Sequence, residues 1–193
     1  ILMFVLQFGG IGIMALGTFM WLLLGRKITF RERRLIMLDQ NQYSFSGVVD
    51  TLRQILFIIV IIEAAGAFVL GIHLMKYYDS IPQAFLHGLF MSVSATTNGG
   101  FDITGQSLQP YANDYFVQFI NILLIILGAI GFPVLIELKR FIKSKPGENL
   151  FRFSLFTKVT SLTFFVLIAI GTLAIILLEY NHVFAGKSWH EGF

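Results

Sequence analysis

Hydropathy along the chain alternates between long apolar runs and short polar breaks. Four runs meet the length of about 20 residues that a helix needs to cross a membrane. They are Ile1–Leu24, Ile55–Met75, Tyr115–Ile136 and Val159–Leu178. The first has no charged residue, and the second has a single acid, Glu63. A shorter helical pattern covers residues 81–95. At ~1.5 Å per residue its reach is about 22 Å, less than the ~30 Å hydrocarbon core. The pattern therefore predicts a short helix that enters the membrane, stops, and returns through the extended segment 96–102. Irregular backbone at membrane depth is tolerated where it lines a water-filled cavity or is buried in protein. Thr96-Thr-Asn-Gly-Gly-Phe-Asp102 suits the first case, because glycines and flanking threonines let backbone carbonyls crowd toward an axis and coordinate a dehydrated cation.

Composition agrees with a membrane protein. The chain has 193 residues, 56% hydrophobic and 13% charged, with 21 Phe and no Cys. Its mean hydropathy is +0.77. Without cysteine there is no disulfide framework, thiolate metal site or cysteine nucleophile. A basic n-region and a small-residue cleavage site are missing from the first run, so it does not read as a signal peptide. The chain starts inside an apolar run and stops at Trp189–Phe193, where another helical pattern begins; the expectation is an internal piece of a longer protein.

The net charge of +3 points to topology and not to nucleic acid. Residues 26–53 hold Arg26, Lys27, Arg31, Arg33, Arg34 and Arg53, and residues 137–158 hold Lys139, Arg140, Lys143, Lys145, Arg152 and Lys158. Residues 76–114 carry one base, Lys76, against Asp79, Asp102 and Asp114. By the positive-inside rule both basic loops are cytoplasmic and segment 96–102 opens outside. Asp102 then stands at the external mouth, where it concentrates cations, and the short helix turns the negative end of its dipole toward the pore.

The chain also resembles itself. Gly9–Leu16 and Gly128–Leu135 share four of eight positions, and each is followed by a basic boundary, Arg26-Lys27 and Lys139-Arg140. The expected unit is helix, re-entrant pore loop, helix. Residues 1–25 close a first unit and 26–53 connect it to the next. Residues 54–136 form a complete second unit, with helix 55–75, pore helix 81–95, filter 96–102 and helix 115–136. Residues 137–158 form a second connection, and 159–193 open a third unit up to the start of its pore helix. The fold class is an all-α membrane protein.

Other residues admit plainer readings. Glu63 is costly at mid-membrane, so it faces either a packed partner or a cation path. His73 and His87 have no converging ligands, which gives no metal site. Arg31–Arg34 touches anionic lipid or a cytosolic partner, or simply sets topology. Pro133 kinks the third span, and Gly9, Gly10 and Gly12 allow close helix contact. Ser94, Thr96 and Thr97 lack an adjacent histidine base, which argues against an intramembrane hydrolase and against an enzyme generally. No Gly-x-x-x-x-Gly-Lys-Ser/Thr motif and no strand-linked Gly-x-Gly-x-x-Gly occurs, so any ATP or ADP effect comes through a partner. The competing function is a non-conducting membrane anchor that docks cytosolic partners.

Gln7-Phe-Gly-Gly-Ile-Gly-Ile-Met14, Gly25-Arg-Lys27, Arg31-Glu-Arg33 and Ala95-Thr-Thr-Asn-Gly-Gly-Phe-Asp102 together resemble the Trk/Ktr/HKT superfamily of potassium transporters, most of all the KtrB-type membrane subunits of bacteria. The resemblance implies a potassium-channel-like pore built from four non-identical repeats, a homodimer in the bacterial plasma membrane, and a cytosolic KtrA-like nucleotide-binding ring. It implies K+ as cargo, Na+ as a coupling ion, and regulation by ATP or ADP bound to the ring. Gly100 matches the filter glycine of the second repeat, with K+ coordinated at Asn98, Gly99, Gly100 and Phe101 and with Thr97 completing the filter. The family's gating loop and three of its four filters fall outside this sequence.

Overall fold

The computed structural model describes residues 2–11, 48–144 and 152–179. The basic stretch 26–47 and the expected third pore helix near residues 186–193 lie outside the described residues. Every regular element among the described residues is helical. They are α1 (Leu2–Ile11), α2 (Val48–Leu74), α3 (Ile81–Thr96), a 3-10 turn (Gln109–Tyr111), α4 (Tyr115–Ala129), α5 (Phe132–Lys143) and α6 (Leu155–Glu179). The stretches Arg53–Leu74 and Leu155–Leu178 are each long and apolar enough to cross a membrane.

The chain divides into two units, residues 1–136 and 137–193. In the second, α6 exposes large apolar side chains along its length, among them Leu162, Leu167, Leu173 and Leu177. There the Ser154 N–H donates to Glu137 Oε2 at 3.0 Å, and the Phe141 and Phe153 rings lie 5.3 Å apart.

The first unit is organised around α3. Pro82, at the start of this helix, has the φ that a first helical turn requires and no N–H to satisfy there. With 16 residues, α3 reaches about 24 Å and cannot cross the core. It runs antiparallel to α2: Ala84 joins Leu70 and Leu74 in one apolar cluster, while Ser92, two turns further on, donates to the Glu63 carbonyl at 2.8 Å. The two backbones nearly touch. A Cβ on Gly88 would lie 2.6 Å from the Gly71 nitrogen. Val117 and Leu124 of α4 join the same cluster from the other side, together with Ala95 and Tyr111. On a third face, Leu6 of α1 packs on Phe90 and Val93.

The helix expected over residues 115–136 is two helices bent by 106°. The physical cause is local. Gly131 takes φ +98°, and Pro133 cannot continue a hydrogen-bonded ladder back into α4. With 15 residues, α4 extends only about 22 Å. Past the bend, Phe132 and Ile136 pack on Ile55, Leu56 and Ile59 of α2. Other bounds shift as well: α2 begins at Val48, inside the expected connection 26–53, α3 includes Thr96, and α5 to Lys143 and α6 from Leu155 take up the two ends of the expected connection 137–158.

At the end of α4, a Cβ on Gly128 would overlap the Thr96 carbonyl oxygen and lie 2.8 Å from its carbon. Gly128→Ala is therefore expected to destabilise the protein by about 1–3 kcal/mol through overpacking. Thermal melting of the full-length protein in detergent measures it, and an unchanged midpoint would contradict this approach of α4 to α3.

Candidate ion-selective segment

The chain leaves α3 and turns back beside it. Thr97 still has helical backbone, but Asn98 has φ +53° and Gly100 φ +67°, and these left-handed residues end the helix. The Gly99 N–H donates to the Ser94 carbonyl at 2.9 Å, and Ser94 Oγ donates to the Phe101 carbonyl at 2.6 Å. Phe101 thus returns to the level of Ser94. Tyr111 then comes back beside the residues that precede α3. Its hydroxyl is 2.8 Å from that of Tyr78, and its ring stands edge-on to Tyr77 with centroids 5.1 Å apart. The segment is re-entrant: it goes in with α3 and comes out on the side it entered.

Hydrogen bonding sets the two ends of this loop apart from its middle. Thr97 Oγ1 donates to the Val93 carbonyl at 2.7 Å, so its hydroxyl is used within α3. Among the described residues, the carbonyls of Thr97, Asn98, Gly99 and Gly100 accept no hydrogen bond, whereas the Phe101 carbonyl holds the Ser94 hydroxyl. The Thr96 carbonyl is free as well, so five consecutive backbone acceptors have no hydrogen-bond donor among the described residues. Asn98, Gly100 and Phe101 also border a cleft of about 230 Å³ whose other walls include His87, Met91 and Asn121.

Asp102 follows directly, but its carboxylate is committed locally. Thr104 Oγ1 and the N–H groups of Gln106 and Ser107 all donate to its Oδ2. The Thr104 hydrogen bond, with help from the backbone donors, holds its carboxyl below the usual carboxylate range. The residue expected at the mouth thus also serves as the knot of the loop that follows the segment.

A second polar cluster joins the far end of α2 to the start of α4. Asp114 caps α4 by accepting from the Val117 N–H at 3.3 Å. It also receives His73 Nε2 at 2.8 Å, the Tyr77 hydroxyl at 2.8 Å and Lys76 Nζ at 2.7 Å. His73 stacks on Phe116 at 4.3 Å. Burial pushes the Asp114 carboxyl up, but the donors from Lys76, His73, Tyr77 and Val117 outweigh it and hold the group well below the usual range. Sequence reasoning named His73, Lys76 and Asp114 separately and did not pair them; the Asp114-x-x-Val117 start of an apolar run was the one legible sign of a cap.

A short helix and its return, set between the long apolar α2 and the bent pair α4–α5, define a helical membrane protein with a re-entrant segment. The TrkH cation transport protein family matches residues 1–185, and the chain belongs to that family. Over 191 residues it is 59% identical to Ktr system potassium uptake protein D of Bacillus subtilis (strain 168), covering 99% of this chain and 42% of that protein. Ktr system potassium uptake protein B of the same organism is 31% identical over 182 residues, covering 94% of this chain and 39% of that protein. Potassium/sodium uptake protein NtpJ of Enterococcus hirae is 28% identical over 134 residues, covering 69% and 30%. The chain spans about two fifths of the length of the two Bacillus relatives.

The Asp114 joint has a definite pH signature. A carboxyl whose folded-state pKa is depressed stabilises the fold above its unfolded value, near 3.9, and loses that contribution as pH falls through the folded value. Asp114→Asn is expected to lower the melting midpoint between pH 5 and 8, by about 1–3 kcal/mol in stability. The gap to the unsubstituted protein narrows only below about pH 4. A gap that persists unchanged in stronger acid would show that charge at Asp114 is not what holds the joint.

Proposed function

We propose that this chain contributes one filter segment to a potassium uptake pathway across the bacterial plasma membrane. The observation that carries the reading is the run of unengaged carbonyls from Thr97 to Gly100, at the point where a helix too short to cross the membrane turns back. Backbone carbonyls replace the hydration shell of a dehydrated cation, and the C-terminal end of α3 adds about half a negative elementary charge nearby. Ktr potassium uptake proteins among the relatives support K+ as the cargo.

Residues 54–136 act as one repeat of a pseudo-fourfold pore whose other filters come from the rest of the full-length protein. K+ is held at Asn98, Gly99 and Gly100, with Thr97 completing the filter, Phe101 coordinating through the lone pair its carbonyl does not give to the Ser94 hydroxyl, and Asp102 at the outer mouth. The basic loops 26–53 and 137–158 face the cytoplasm, where a KtrA-like ring binding ATP or ADP docks on a homodimer; Na+ is the coupling ion, in keeping with the name of the NtpJ relative. An inside-negative potential drives uptake, at about 2.3 kcal/mol per charge per 100 mV.

Gly100→Ser tests the filter. Its φ of +67° is a conformation that a side chain adopts at a cost of about 1–2 kcal/mol, enough to disturb coordination. In cells lacking their own uptake systems, the full-length protein is expected to restore Rb+ uptake at low external K+. The variant is expected to raise the apparent KM about tenfold or to admit Na+. Unchanged uptake by the variant would remove Gly100 from the pathway. Absence of uptake by the parent, with its cytosolic partner co-expressed, would favour the docking anchor.

A further inference from the structure

Glu63 is the one acid in the apolar stretch Ile55–Leu74, and it is only 7% exposed. An ionisable side chain is retained at such depth against a large cost, and carbonyl coordination at Thr97–Phe101 makes no use of it. Its contacts reach the segment by two routes. Gln7 Nε2 of α1 donates to Glu63 Oε2 at 2.9 Å. The neighbour of Gln7, Leu6, packs on Phe90 and Val93, and a Cβ on Gly99 would run into its side chain. On the other side, the Glu63 carbonyl accepts from Ser92 Oγ at 2.8 Å, and the Ser92 carbonyl accepts from Thr96 Oγ1, also at 2.8 Å. One residue of α2 therefore meets α1 through its side chain and α3 through its backbone, and both lines end at the turn that carries the free carbonyls.

The carboxyl has no reserve. Its Oε1 is buried without a hydrogen-bond partner among the described residues, and of those residues Gln7 alone bonds to it and fixes its direction. A directional bond of this kind, in apolar surroundings, holds two helices in register where methyl contacts would let them slide.

We propose that Glu63, through Gln7, is a positioning residue for ion selection: it fixes α1 against α3 behind the turn and so sets the spacing of the carbonyls at Thr97–Gly100. The proposal rests on the filter reading above.

Rb+ uptake and Rb+/Na+ preference in the full-length protein test it, with uptake normalised to the amount of protein in the membrane. Glu63→Leu and Gln7→Leu are each expected to raise the Rb+ KM about tenfold, the scale of one lost buried hydrogen bond, with maximal rate kept within about twofold. Glu63→Gln keeps an oxygen that accepts from Gln7 and is expected to rescue KM and ion preference. Gln7→Leu strands a buried acceptor, so the double Leu variant is expected to be no worse than Gln7→Leu alone. Should Glu63→Leu fail to reach the membrane, Gln7→Leu, which leaves α2 untouched, carries the same reading. Losses that appear only in protein amount, with KM and ion preference unchanged, would overturn the proposal, as would effects of the two residues that simply add. Gly100→Ser measured alongside separates the two claims. If it alters selectivity while the Glu63 and Gln7 variants do not, the positioning role is wrong and the filter stands. If it alters nothing, the filter reading fails and this proposal falls with it.

Discussion

Everything in the first unit depends on how closely a short helix is held by its neighbours. A spanning helix takes its depth from the thickness of the bilayer, but α3, with 16 residues, has no such ruler. Its depth is set by protein contact. Lipid tails are as apolar as the helices they surround, so the holding force is packing and hydrogen bonding at short range. That is why α2 meets α3 at Gly71 and Gly88, and why α4 meets the end of α3 at Gly128. Absent side chains bring the backbones together, and only then does the Ser92 hydroxyl reach the Glu63 carbonyl.

Polar and apolar contacts divide the work. Ile55, Leu56 and Ile59 hold the start of α5 by surface burial, which tolerates small shifts. At the opposite end of α2 the Asp114 joint fixes direction, because one carboxylate collects donors from His73, Lys76, Tyr77 and Val117. Between them lies the turn at residues 97–101. Its carbonyls from Thr97 to Gly100 accept nothing among the described residues, and the Ser94 hydroxyl closes the run at Phe101.

The pattern of the sequence made the short helix and its return legible, since both follow from run length and from the polar break at Thr96–Asp102. The bend after α4 was only half legible. Pro133 marks a kink, but the apolar run reads straight through Gly131, whose positive φ has no hydropathy signature. Pairings between distant residues were not legible at all. Gln7 and Glu63 are 56 positions apart, and nothing in either residue's surroundings names the other. Gly128 stood out as part of an internal repeat, yet its closeness to Thr96 is a fact of three dimensions. Asp102 reads as a free charge in the sequence, while its neighbours Thr104, Gln106 and Ser107 bind it into a turn.

The bond from Ser94 to the Phe101 carbonyl has a consequence for what can vary here. It clasps two residues seven positions apart, so the span between them is a closed ring and not an open strand. A long surface loop absorbs an inserted residue at small entropic cost, but a short ring has no slack to distribute. An insertion or deletion anywhere from Ala95 to Gly100 would either break the clasp or rotate every following carbonyl out of place. The residue count of this ring is therefore as tightly constrained as the small side chains at Ser94, Gly99 and Gly100 that let it close.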